Sequence, residues 1–183
     1  MRIYELMARN QLSASLVLIW HTMTVGLRSL LFTLCIPGSA TVWLPWLILA
    51  QRMPSDLAAP WTLRLPGALL MAMGVVLYFS CLWDFTFTGR GTPAVWDPPV
   101  VFVSKGLYRF VRNPMYLAIV CVLVGEALFF QSATLSWMAA GGAAGFHLFV
   151  VFYEEPALKQ RFGFSYERYC SEVSRWLPRW PER

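Results

Sequence analysis

Hydrophobic residues run along this chain in long blocks, and the polar residues are gathered between them. Residues 30–50, 65–87, 115–130 and 132–153 are each almost free of charge. A helix needs about 20 apolar residues to cross a bilayer core. Each block is therefore predicted to be a membrane span, the third somewhat short. Pro37, Gly38 and Pro45 should bend or break the first span. Only residues 131–133 separate the last two, so those two are predicted to form a tight antiparallel hairpin.

Residues 12–27 are ambiguous. Leu12, Leu16, Ile19, Met23 and Leu27 mark one helical face, yet the opposite face is weakly polar. The segment either lies in the interface or joins residues 30–36 as a longer first span, with Pro37-Gly38-Ser39 as a turn. The pattern favours four main spans with an N-terminal interfacial helix over five segments. Near the other end, Phe162, Tyr166, Tyr169 and Val173 recur at spacings of four, three and four. That period predicts an amphipathic helix over residues 162–176, ended by Pro178 and Pro181. Pro93, Pro98, Pro99 and Trp96 mark an extended loop. Gly141 and Gly145 are spaced for close helix packing.

Composition turns these blocks into a class. Of the 183 residues, 57% are hydrophobic and 14% charged, with a mean hydropathy of +0.52. Such a chain cannot cover itself with polar surface, which points to an integral membrane protein. The expected fold is an all-α polytopic membrane bundle of four to five transmembrane helices, followed by a cytoplasmic amphipathic helix. It divides into residues 1–28, interfacial or partly inserted, and one domain over residues 29–183.

The net charge is +5, but its distribution is more informative. With the N-terminus inside, thirteen basic residues lie on the inner side and two, Arg52 and Arg64, on the outer side. That asymmetry obeys the positive-inside rule and turns both polar blocks toward the cytoplasm. The basic residues flank apolar spans without forming a stripe, which excludes a nucleic-acid partner. Arg2 and Arg9 precede an apolar run as in a signal peptide, but a small-residue cleavage site is lacking, so the segment is read as retained. Cys35, Cys81, Cys121 and Cys170 are widely spaced, which argues for packing and against metal ligation or disulfides.

Two polar blocks carry the candidate chemistry. One reads Gly106-Leu-Tyr-Arg-Phe-Val-Arg112-Asn113-Pro114-Met-Tyr116; the other begins Glu154-Glu155-Pro-Ala-Leu158 and continues through Tyr166, Tyr169 and Arg175 to Pro178. Adjacent acids at a helix C-terminus oppose its dipole, so stability alone places them poorly. One can bind a ligand ammonium or hydroxyl while the other orients an arginine. Arg112 and Arg175 suit a ligand carboxylate or those glutamates, and Arg109 suits lipid headgroups. Tyr108, Tyr116, Tyr166 and Tyr169 can stack an adenine or face a cation, although tyrosine also gathers at membrane interfaces unaided. Asn113-Pro114 reads as a helix cap followed by a first turn.

Three ionisable residues fall within spans, where they are costly. Glu126 lies mid-span in the third block and is read as structural, and Asp84 lies near the end of the second. His147 precedes Glu154 by seven residues and shares nearly one helical face with it, so these two are the candidates for accepting a proton. An interhelical hydrogen bond is the plainer reading of His147.

Taken together, these residues resemble the isoprenylcysteine carboxyl methyltransferase family, whose C-terminal region is shared with phospholipid N-methyltransferases. The resemblance runs from about residue 65 to 178 and is strongest over 104–116 and 154–178. Gly89-Arg-Gly-Thr-Pro93 with Asp97-Pro98-Pro99 is similar to bacterial members, implying a cytoplasmic-membrane enzyme. The resemblance implies S-adenosyl-L-methionine as cofactor and a membrane lipid or hydrophobic small molecule as methyl acceptor. It also implies that Gly106, Tyr108, Arg112, Asn113, Pro114 and Tyr116 meet the cofactor from one side, with Glu154, Glu155, Tyr166, Tyr169 and Arg175 closing the pocket. Asn113 departs from the family's usual histidine, and Leu107 from a common proline. A membrane reductase using NADPH and a noncatalytic protein that keeps the pocket are the rival readings.

Overall fold

The computed structural model describes residues 24–51, 61–89, 91–93 and 102–180. Most of the predicted interfacial segment, residues 12–23, and most of the Pro93–Pro99 loop lie outside them. Among the described residues all regular structure is helical. Three helices are long and apolar enough to span a membrane, and a shorter fourth joins them.

The first, α1 (Thr24–Ala50), spans the membrane length with a turn at Ile36 and takes in residues 24–27 of the ambiguous segment. Of the bend or break expected at Pro37, the span shows a local interruption and then continues. Each proline withholds one N–H from the ladder, and the chain absorbs this in a π turn at Ser39–Trp43. Hydroxyls add backbone hydrogen bonds along the same stretch: Ser39 Oγ donates to the Cys35 carbonyl at 2.7 Å and Thr41 Oγ1 to the Pro37 carbonyl at 2.8 Å. Pro45 falls in the first turn of Leu44–Leu49, where a missing N–H costs little.

Helix α2 (Trp61–Trp83) runs on through a π turn at Asp84–Gly89. After a 3-10 turn at Gly106–Arg109 comes α3 (Pro114–Phe130). Its 17 residues rise only about 25 Å, the short span expected. Gln131, left-handed at φ 47°, ends α3. Ser132 then accepts from the Leu135 N–H and starts α4 (Ala133–Phe149), completing the predicted hairpin. A π turn at Val150–Glu154 carries α4 into α5 (Glu155–Phe162).

The predicted C-terminal helix is present but shorter at both ends. Gly163 at φ 51° breaks the chain, α6 covers Phe164–Glu172, and Val173 is already extended. The apolar face was nevertheless correct: Tyr166, Tyr169 and Val173 form one buried cluster with Phe162 and Phe102 packed on it.

Helices α2 and α3 approach most closely, through Gly67 and Gly74 on one and Gly125 on the other. A Cβ on Gly67 would sit 2.7 Å from the Phe129 nitrogen, and one on Gly74 would sit 2.6 Å from the Ala118 carbonyl oxygen. Gly141 and Gly145, read as a packing face, meet no described residue within 4 Å. They lie on the outward side of α4, so the small-residue seam belongs to α2 and α3. Helix α1 is tied to α2 by a Thr33–Tyr78 hydroxyl pair at 2.9 Å and by Thr86 donating to Ser29 at 3.2 Å. Leu69, Val76, Trp83, Trp137 and Phe152 point outward, the apolar surface that a bilayer would cover.

Candidate functional site

The two polar blocks meet at one end of the bundle. The backbone N–H of Arg112 donates to the Ser174 carbonyl at 2.8 Å, and the Asn113 amide donates to the Arg175 carbonyl at 3.1 Å. Tyr169 closes the seam by donating its hydroxyl to the Tyr108 carbonyl at 2.6 Å. Asn113 was expected to cap α3; its side chain instead holds the C-terminal segment, and α3 begins without a side-chain cap.

The adjacent glutamates are used differently. Glu155 accepts from Arg175 at both oxygens, 2.7 and 2.9 Å, and from Arg112 Nη1 at 3.0 Å. Its hydrogen-bonded carboxylate holds the Arg175 guanidinium above its ordinary pKa. Glu154 meets no arginine among the described residues; its Oε2 accepts from the Tyr116 hydroxyl at 2.7 Å. Arg112 Nη1 also donates to Cys170 Sγ at 3.0 Å, so this cysteine does more than pack. The Nε of Arg112 is buried without an acceptor among the described residues.

A cavity of about 200 Å³ opens among these groups. Of the predicted residues, Tyr108, Arg112, Asn113, Tyr116, Glu154, Glu155, Tyr166 and Tyr169 line it. Burial raises the pKa of Tyr108, Tyr166 and Tyr169, so these walls stay neutral. A second cavity of about 160 Å³ shares Tyr116, Arg112 and Glu154 as a wall and reaches between α1, α3 and α4 along Phe32, Ile36, Ile119 and Phe146. The first space thus adds Glu155 and Arg161 to the shared wall, and the second adds aliphatic and aromatic side chains.

Four predicted residues line neither cavity. Arg175 supports Glu155 from behind, and Pro114 is buried in the first turn of α3. Gly106, at φ 59°, has its Cα against the Asp84 carboxylate, leaving no room for a side chain. His147 is exposed, and its Nδ1 accepts from Trp176 Nε1 at 3.0 Å. Glu126 is buried and lines neither cavity, with Oε2 unpartnered among the described residues.

Sequence reasoning missed Arg161, Tyr153, Val150, Leu158, Phe85 and Phe102, all in the lining. Three of them, Val150, Leu158 and Arg161, had a signal. Val150, Glu154, Leu158 and Arg161 recur at helical spacing, so following α4 past its apolar block would have found them. Phe102, in a loop, offered none.

A search of curated proteins and a search of solved structures each return no match. The family model for phospholipid methyltransferases matches residues 63–165. That stretch begins in α2, takes in Arg112, Tyr116 and both glutamates, and ends one residue before Tyr166. Because it spans more than half of the sequence, the chain belongs to the phospholipid methyltransferase family.

Proposed function

We propose that the protein transfers a methyl group from S-adenosyl-L-methionine to a lipid-like or hydrophobic acceptor at the cytoplasmic face of the membrane, in the manner of isoprenylcysteine carboxyl methyltransferases. The observation that carries this reading is the wall formed by Tyr116 and Glu154. It is shared by a cavity that Glu155 and Arg161 also line and one that runs among the spans.

The residues present suit the cofactor. Arg112 offers an unpartnered buried N–H beside the cavity, matched to a carboxylate. Glu154 keeps Oε1 available for an ammonium or hydroxyl while Tyr116 fixes Oε2. The neutral rings of Tyr108, Tyr166 and Tyr169 suit an adenine or a cationic sulfonium. When bound, the cofactor supplies an electrophilic methyl carbon on that sulfonium.

The chain's own contribution is to align the acceptor and exclude water. Phe32, Ile36, Ile119 and Phe146 would hold an acyl or prenyl chain, leaving its polar end beside Tyr116 and Glu154. A carboxylate or thiolate acceptor needs no base. A protonated amine would first lose a proton, and Glu154 lies nearer that point than His147, which lines neither cavity.

The test is calorimetry of S-adenosylmethionine binding to the detergent-solubilised protein. Glu154→Gln keeps an acceptor for Tyr116 but removes the charge. It should weaken binding roughly ten- to hundredfold, the worth of one charged hydrogen bond, without moving the unfolding temperature. Folded wild-type protein that ignores this cofactor, or takes NADPH in its place, would end the proposal.

A further inference from the structure

Behind the reaction cavity, on the other side of α6, lies a larger groove of about 620 Å³. Arg109, Arg168 and Arg179 line it, against a single acid, Glu172. Glu172 is engaged, accepting from Arg168 Nε at 3.0 Å. Neither Arg109 nor Arg179 has an acidic partner among the described residues; the Arg109 guanidinium lies over the Phe110 ring, 5.0 Å from its centroid. Among the described residues, three arginines against one glutamate leave two positive charges uncompensated in one concave surface. Ser104 and Ser165 add hydroxyls to the same lining.

The rest of the groove is apolar. Phe102 and Val173 form its floor, and Trp180 stands at its rim with its ring edge-on to Phe110. Trp180 is 83% exposed and Leu177 78% exposed, on a tail that begins ten residues after the last membrane-length helix ends at Phe162. An outward tryptophan and leucine beside unpaired arginines match a surface that rests at the level of lipid headgroups.

We propose that this groove binds the phosphate of an anionic phospholipid, as a site separate from the methyl acceptor's. Arg109 and Arg179 grip the phosphate as guanidinium donors, the serines add hydrogen bonds, and Trp180 lies along the first methylenes of the chains. The inference is independent of methyl transfer, because none of the three arginines lines the reaction cavity. A bound lipid would brace the C-terminal tail, whose Arg179 N–H donates to the Phe110 carbonyl at 2.8 Å.

Native mass spectrometry of the full chain in neutral detergent provides the test, with phosphatidylglycerol and phosphatidylcholine of identical chains as probes. One phosphatidylglycerol per chain is expected, bound at least about tenfold more tightly than phosphatidylcholine. The Arg109→Gln/Arg179→Gln double variant should lose about fivefold per arginine removed. Lys159→Gln removes the same charge from an ion pair outside the groove and should bind as wild type. Equal binding of the two lipids, or a double variant that matches Lys159→Gln, would overturn the proposal. So would displacement of the lipid by equimolar glycerol phosphate, which would assign the groove to a soluble anion.

Discussion

Glu154 and Glu155 are chemically identical neighbours, yet about 100° of helical turn separates their side chains. That rotation turns Glu155 to Arg112 and Arg175 and Glu154 to the cavity and Tyr116. The expectation that one acid orients arginine while the other is left for a ligand could be formed from the sequence. Which was which could not, because the arginines come from positions 43 residues before and 20 residues after Glu155. Opposite consequences are therefore expected. Glu155→Ala leaves two partly buried guanidinium groups unpaired and should cost about 1.5–3 kcal/mol. Arg175→Lys should lose part of that stability, since an ammonium cannot span both carboxylate oxygens. Thermal unfolding in detergent checks both. A Glu155→Ala variant as stable as wild type would contradict the supporting role.

At the level of elements, apolar blocks located the spans, but local punctuation misled where the helix absorbed it. Pro37 and Pro45 did not end α1, because a π turn follows the first and the second falls in the first turn of Leu44–Leu49, where its missing N–H costs little. Gly163 did end a helix where periodicity alone continued, since the apolar face can be maintained across a break. The glycines show the same limit. Gly141 and Gly145 have the spacing of a packing motif yet face outward, while Gly67, Gly74 and Gly125 make the close approach. Gly74→Ala should destabilise by about 1–3 kcal/mol, because the added methyl meets backbone that cannot rotate away. Gly141→Ala should be neutral, or stabilise by up to about 1 kcal/mol through helix propensity. Denaturation of the two variants side by side distinguishes the faces, and equal losses would refute the assignment.

For the molecule as a whole, charge asymmetry and the meeting of both polar blocks at one end bear on orientation together. Thirteen basic residues against two predict that the end carrying Glu154 and α6 lies inside. A C-terminal green fluorescent protein fusion should therefore fluoresce, and a C-terminal alkaline phosphatase fusion should be inactive. The reverse result would place the site on the opposite face and remove its access to a cytoplasmic cofactor.

The helical class, the spans, the tight hairpin and the two polar blocks were determined by the sequence alone. Each depends on local quantities: the length of an apolar run against the thickness of a bilayer, and the backbone preferences of single residues. The packing seam of α2 and α3, the parting of the two glutamates, the removal of His147 from the cavity and the entry of Arg161 and Phe102 into it were decided only by the tertiary structure. These depend on which side chains face one another across a space bounded by segments far apart in the chain, and no local pattern encodes that rotation.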